Sequence, residues 1–151
     1  MMAVRGFEIV SAYEGKGIAL PLRGTAASAG YDLSAAESVV IAPGDMAMVP
    51  TGVKAYMEPD EVLYIHIRSS LAVKRQLVLM NSVGVVDADY YNNPDNEGHI
   101  FIALWNRGKE AVTLKAGERL AQGVFMKYLL ADGDTAGKGQ DRQGGFGSTG
   151  K

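Results

Sequence analysis

Apolar residues in this chain come in short runs, and turn-forming residues separate them at nearly regular intervals. Val62-Leu63-Tyr64-Ile65-His66-Ile67 is the densest run and is rich in strand-forming side chains. Met46-Ala47-Met48-Val49 ends at the turn signal Pro50-Thr51-Gly52, after which Val53-Lys54-Ala55-Tyr56-Met57 alternates with period two. Residues 83–86, 100–105 and 120–128 have the same strand-like character. Ala42-Pro43-Gly44-Asp45, Glu58-Pro59-Asp60, Asn106-Arg107-Gly108-Lys109 and Lys115-Ala116-Gly117-Glu118 supply the turns. Many short strands about 8–12 residues apart predict an all-β sandwich or barrel.

One stretch breaks this pattern. Ser70-Leu71-Ala72-Val73-Lys74-Arg75 predicts a short helix. Ser69 or Ser70 is the expected cap, because a serine oxygen can accept the free amides of a first turn. Lys74-Arg75 reads as its solvated end. Residues 131–150 are small, polar and glycine-rich, with one aromatic, Phe146, and read as a mobile tail.

At 151 residues the chain fits one domain with a real core. The net charge of -2 argues against a nucleic acid as main partner, although a local basic pocket for a small polyanion stays open. The absence of cysteine excludes disulfides, thiolate metal sites and a cysteine nucleophile. The N-terminus has no signal-like apolar run, and no stretch approaches the roughly 18 apolar residues of a membrane span. A soluble cytoplasmic protein with no membrane partner is therefore expected. Nineteen glycines against five prolines point to tight turns rather than a disordered linker.

Three constellations carry candidate chemistry. Gly145-Phe146-Gly147-Ser148-Thr149-Gly150-Lys151 has the G-x-x-x-x-G-K spacing of a phosphate loop. Such a loop works at the start of a helix, whose amides face the phosphates. Neither that helix nor the usual Ser/Thr follows here, so an ordinary phosphate-loop NTPase is not expected. Gly144, Gly145, Gly147 and Gly150 still leave amides uncovered, and Ser148 and Thr149 add hydroxyl donors that can wrap an anion. Composition alone would make this a solvated terminus; Phe146 weighs against that. Asp87-Ala88-Asp89 closes an apolar run, and on a strand both carboxylates share a face. One can serve as a general base for water or an indirect metal ligand; a turn-capping or solvated pair is the plainer reading. Arg68-Ser69-Ser70, after the most apolar strand, suits phosphate oxygens, or is a strand-end arginine with a helix cap. His66 and His99 fit no zinc spacing. His66 reads as a strand residue, His99 as exposed, and Trp105 and the methionines as packing.

Taken together, five blocks resemble the trimeric deoxyuridine triphosphatase (dUTPase) family, in that family's order. They are Ala29-Gly30-Tyr31-Asp32-Leu33-Ser34-Ala35, Arg68-Ser69-Ser70-Leu71-Ala72, Asn81-Ser82-Val83-Gly84-Val85-Val86-Asp87-Ala88-Asp89-Tyr90, Gly117-Glu118-Arg119-Leu120-Ala121-Gln122 and Gly144-Gly145-Phe146-Gly147-Ser148-Thr149-Gly150. The resemblance implies an all-β, distorted-barrel (β-clip) domain over residues 1–130 with one short helix. Residues 131–151 would form a mobile arm closing over an active site in a homotrimer whose sites are shared. The implied reaction is hydrolysis of dUTP to dUMP and pyrophosphate, with Mg²⁺ and water attack at the α-phosphorus. That activity keeps uracil out of DNA and supplies dUMP for dTMP synthesis.

Residue by residue, the resemblance gives Asp87 the water, and Arg68, Ser69, Ser70 and Gln122 the phosphates. Asn81 and the backbone of Gly84, Val85 and Val86 would hold uracil. Tyr90 would pack under the deoxyribose, where a 2′-hydroxyl clashes. Phe146 would stack on the base, with Gly147 and Ser148 beside the phosphates. Asp32 would support the metal indirectly, through water. Three features depart from the pattern. About six residues, 92–97, intervene before Gly98 where the family turns at once; a surface extension is the plain reading, because lengthening a loop costs little. Ile67 stands where proline or glycine is frequent. Arg142 is the natural triphosphate contact of the arm but stands one residue off the usual spacing, so Lys138 or Lys151 are substitutes. A dCTP deaminase resembles the same fold, but Ala103 occupies the place of its glutamate base and cannot move a proton. A non-catalytic nucleotide-binding or regulatory member of the fold is the other alternative.

Overall fold

A computed structural model describes residues 2–136 and 142–146. In chain order its first strands are β1 (Gly6–Ile9), β2 (Tyr31–Ser34), β3 (Val39–Ile41), β4 (Met46–Pro50), β5 (Val53–Tyr56) and β6 (Glu61–Ile67). The helix α1 (Ser69–Lys74) follows, then β7 (Leu77–Leu79), β8 (Gly84–Asp87), β9 (Phe101–Asn106), β10 (Val112–Leu114) and β11 (Arg119–Lys127).

The densest apolar run became an inner strand. β6 lies between β11 and β8 in a four-stranded sheet of order β2-β11-β6-β8, so both of its edges are hydrogen-bonded, and Val62, Leu63 and Ile65 are buried while His66 is exposed. β4, β9 and β7 form a second sheet, and β1-β5 and β3-β10 are two-stranded. All pairings are antiparallel. The all-β expectation with one short helix holds. The strands form four small sheets rather than one closed barrel. Leu33, Leu63, Leu104, Leu114 and Leu120 are fully buried where these sheets meet, which makes one shared core.

Several local expectations needed correction. Neither serine caps α1: the cap position is Arg68, and no side-chain cap bond forms. Lys74 is exposed as expected, but Arg75 is half-buried and anchored: its guanidinium donates to Glu118 at 2.6 Å and to the Thr113 carbonyl at 2.6 Å. Trp105, Met46 and Met48 do not pack inward. They stand exposed on the outer face of the β4-β9-β7 sheet, where Met46 and Trp105 are register partners.

Candidate active site

The site is built on the β7–β8 hairpin. Ser82 turns the chain with φ near 62°, and the Val83 N–H donates to the Asn81 carbonyl at 2.6 Å. β8 then pairs with β6, Gly84 opposite Ile65 and Asp87 opposite Val62. Strand alternation buries Gly84 and Val86 and turns Val85 and Asp87 outward. Against this hairpin lies a cavity of about 330 Å³, in the size range of small-ligand pockets. Asn81 and residues 83–86 form one wall, Tyr90, Ile100, Phe101 and Ala103 line it further, and Asp87, Arg142 and Phe146 also border it. Asp87 is the one carboxylate lining it among the described residues.

Tyr90 sits in a single 3-10 turn, Ala88–Tyr90, directly after β8. Its hydroxyl donates to the His99 carbonyl at 2.7 Å and accepts from Asn96 Nδ2 at 2.9 Å. Burial pushes the phenol pKa up, while the Asn96 bond acts in the opposite direction. The expectation of an exposed His99 was wrong. This residue is buried between Tyr13 and Phe101, and its Nε2 accepts the Gly52 N–H at 2.9 Å. Burial holds its pKa below the usual histidine value, against the opposing charges of Glu97 and Glu37.

Arg142 ties the C-terminal segment to the acidic pair. Its Nη2 reaches Asp87 Oδ2 at 2.5 Å, its Nε reaches Asp89 Oδ1 at 2.7 Å, and its Nη1 donates to the Gly144 carbonyl at 3.0 Å. The same guanidinium lies 6.0 Å from the Tyr90 ring centroid. Asp87 ends the strand and Asp89 belongs to the following turn, so strand alternation is not what brings the two carboxylates together. Phe146 stands exposed at the cavity in a left-handed conformation, φ near 52°. Gly147 and Ser148, like Lys138 and Lys151, lie outside the described residues.

The expected phosphate group gathers elsewhere. Gln122 on β11 is the register partner of both Asp32 on β2 and His66 on β6, so three polar side chains leave one face of the sheet. Asp32 pairs with Arg119 at 3.6 Å. A Cβ at residue 30 would lie 2.6 Å from Gln122 Oε1 and 2.8 Å from its Cβ, so Gly30 makes room for that glutamine. Arg68 directly follows β6 next to this group, its N–H bonded to the Leu120 carbonyl at 2.9 Å, with exposed Ser69 and half-buried Ser70 after it. None of Asp32, Arg68, Ser69, Ser70 and Gln122 lines the Asp87 cavity. One chain thus carries two separate parts of the expected site. Asp32 lines a different hollow with Lys16, Ser34 and Gly117, and no three acidic or histidine groups converge among the described residues.

The dUTPase family model matches residues 16–150. The chain belongs to the dUTPase family. It is 56% identical over 149 residues to the deoxyuridine 5′-triphosphate nucleotidohydrolase of Lactococcus lactis, across 99% of each chain. It superposes on the crystal structure of the dUTPase from Streptococcus mutans with a TM-score of 0.81 at 56% identity, over 85% of this chain and 99% of that one. A point mutant of the dUTPase from phage phi11 of S. aureus shares the fold at 21% identity and a TM-score of 0.72, over 89% and 97% of the two chains; that structure reveals details of the coordination of a structural Mg(II) ion in the phage protein. Within this dUTPase chain, sequence reading did not single out Asn96, Phe101 or Ile65 as site residues. Ile65 and Phe101 carry only a strand signal, and Asn96 belongs to the intervening segment, where no pattern pointed inward.

Proposed function

We propose that this chain hydrolyses dUTP to dUMP and pyrophosphate. The observation that carries this reading is the Asp87 carboxylate at a nucleoside-sized cavity walled by the β7–β8 hairpin, in a chain of the dUTPase family. Hairpin backbone groups offer donors and acceptors to the uracil edge, and such a lining leaves the cytosine amino group unpaired. Tyr90 lies under the sugar and leaves no room for a 2′-hydroxyl, and Phe146 covers the base. Asp87 holds a water in line with the α-phosphorus. The water oxygen bonds to that phosphorus, its proton passes to the Asp87 carboxylate, and the bond from the α-phosphorus to the bridging oxygen breaks, releasing pyrophosphate. A carboxylate is a weak base, so positioning contributes more than basicity.

The complete site requires more than one chain. Arg68, Ser69, Ser70 and Gln122 bind the triphosphate only if a neighbouring subunit brings them to the Asp87 cavity. The separation of the two groups supports a homotrimer with shared sites, as does the exposed apolar sheet face carrying Met46, Met48 and Trp105. Magnesium fits as an ion carried on the substrate, since Mg²⁺ keeps several waters and needs few carboxylates beyond the phosphates. Asp32, beside Arg119 and Gln122, fits an indirect contact through water. The ion would neutralise charge on the leaving pyrophosphate. No helix among the described residues is long and apolar enough to cross a membrane. A cytoplasmic enzyme that removes dUTP and supplies dUMP is the setting this reading gives.

Ala103 lines the cavity where a deaminase would need a glutamate, so deamination has no base there. Pyrophosphate release from dUTP, with UTP and dTTP as controls and Mg²⁺ present, tests the proposal. Release from dUTP alone is expected. Binding of dUTP without release would favour the non-catalytic alternative.

A further inference from the structure

The 92–97 segment takes no part in the chemistry above, yet it touches both Tyr90, which lines the pocket, and the C-terminal segment beside it. It is a surface extension, with Asn92, Pro94 and Asp95 exposed, but an anchored one. Asn93 is buried, and its Oδ1 accepts the N–H groups of Asp95 and Asn96 at 3.0 and 3.1 Å. Its Nδ2 donates to the Tyr90 carbonyl at 2.7 Å. Asn96 holds the Tyr90 hydroxyl from the same loop. Glu97 closes the loop on the buried Lys54 ammonium at 2.7 Å. Both ends are therefore fixed to the body.

The outer side of this rigid loop meets the C-terminal segment. The Asp95 N–H donates to the Gln143 carbonyl at 2.9 Å. Gly144 is buried and rests directly on Asp95: a Cβ at residue 144 would lie 2.8 Å from Asp95 Oδ2 and 2.9 Å from Asp95 Cβ. The carboxylate can swing away, but the Cβ cannot. These two contacts immediately follow Arg142, whose guanidinium reaches Asp87 and Asp89. A direct turn from Tyr91 to Gly98 would contain no Asp95.

We propose that the 92–97 loop is a docking ledge that positions the C-terminal arm over the nucleotide pocket, with Asp95 as the positioning residue that seats Gly144. This rests on the reading that the arm works at the Asp87 cavity. The contact needs only residue 95 on the ledge and residues 143 and 144 on the arm, so it serves an arm from the same chain or from a neighbour.

The test uses the full-length protein and the variants Gly144→Ala, Asp95→Gly and their combination. Two quantities are read: KM for dUTP, and the rate of trypsin cleavage after Arg142. Gly144→Ala should raise KM on the order of tenfold, as overpacking at a fixed contact does, and should speed the cleavage. Its melting temperature should not change, because residue 144 lies outside the sheets. Adding Asp95→Gly should return both quantities toward those of Asp95→Gly alone, because the clashing Cβ is gone. A Gly144→Ala protein equal to wild type in both readouts would overturn the ledge, as would a defect of the same size with and without Asp95. Cleavage after Arg142 reads the ledge even in a protein without dUTP turnover, so loss of the proposed activity and loss of the ledge are separate results.

Discussion

Arg142 donates to Asp87 across 2.5 Å and to Asp89 across 2.7 Å, and this one guanidinium joins the C-terminal segment to the carboxylate bordering the cavity. In the proposed reaction Asp87 aims a water, and the Arg142 contact to its Oδ2 competes with that role. A bound triphosphate supplies the competing anion, and an arginine fork suits phosphate oxygens as well as carboxylates. Replacing Arg142 with alanine should therefore act on substrate capture. KM for dUTP should rise about tenfold or more, with a smaller change in kcat, since a charge-assisted contact is worth roughly 1.5–3 kcal/mol. An unchanged KM would remove Arg142 from the triphosphate.

Asp87→Asn keeps the size of the side chain and its place opposite Val62 but removes the proton acceptor. Turnover should fall on the order of 10²-fold or more while dUTP binding persists. Steady-state pyrophosphate release together with equilibrium binding of dUTP checks both halves. Normal turnover in the variant would assign the water to another group.

Strand positions were legible because short apolar runs rich in strand-forming residues are separated by turn clusters, even though, among the strands of four or more residues, burial alternates cleanly only in β8. β4, β5, β6, β8, β9 and β11 lie within about two residues of the runs that predicted them. β3, β7 and β10 have three residues each, too few for a pattern to stand out from its turns. The third block was legible as a site because Asn81, the Gly84–Asp87 strand and Tyr90 are contiguous, and the structure brings them to one cavity. The 92–97 segment was not. Its asparagines and acids look solvated in sequence, and only the fold reveals that Lys54 and the Tyr90 hydroxyl need them. His99 was misread for a related reason: its burial depends on Tyr13 and Phe101, which come from distant parts of the chain.

His99 gives the fold an acid-side dependence. Its folded pKa lies below the unfolded value, so the unfolded chain binds the proton first as pH falls. The stability it contributes is complete above about pH 6.5 and is lost progressively as pH drops from there toward the lowered folded value. Its Nε2 must stay unprotonated to accept the Gly52 N–H. Melting temperature should fall across that window in the wild type. In His99→Gln, which cannot titrate, the slope there should be shallower. Equal slopes would assign the dependence to other groups.

Lys54 is buried and its ammonium meets Glu97 at 2.7 Å and Asn92 at 2.6 Å. Glu97→Ala leaves that charge with Asn92 and a distant Glu8 at 4.0 Å, and should cost about 2 kcal/mol. Lys54→Met combined with Glu97→Ala should cost less than Glu97→Ala alone, because no unpaired charge remains buried. Urea denaturation of the two proteins reads the order directly. The reverse order would mean that water already reaches the ammonium.

The proposed division of one site between chains has its most direct test in complementation. Asp87→Asn removes the proposed water-aiming group and Arg68→Ala a proposed phosphate contact, and each variant should be close to inactive alone. Co-expressed with different tags and purified through both, the two chains should form hybrid assemblies in which an intact Asp87 cavity meets an intact Arg68. Recovery of dUTP hydrolysis well above either parent is the predicted result. Hybrids as inactive as their parents, or a wild-type protein that hydrolyses dUTP as a single chain, would contradict it.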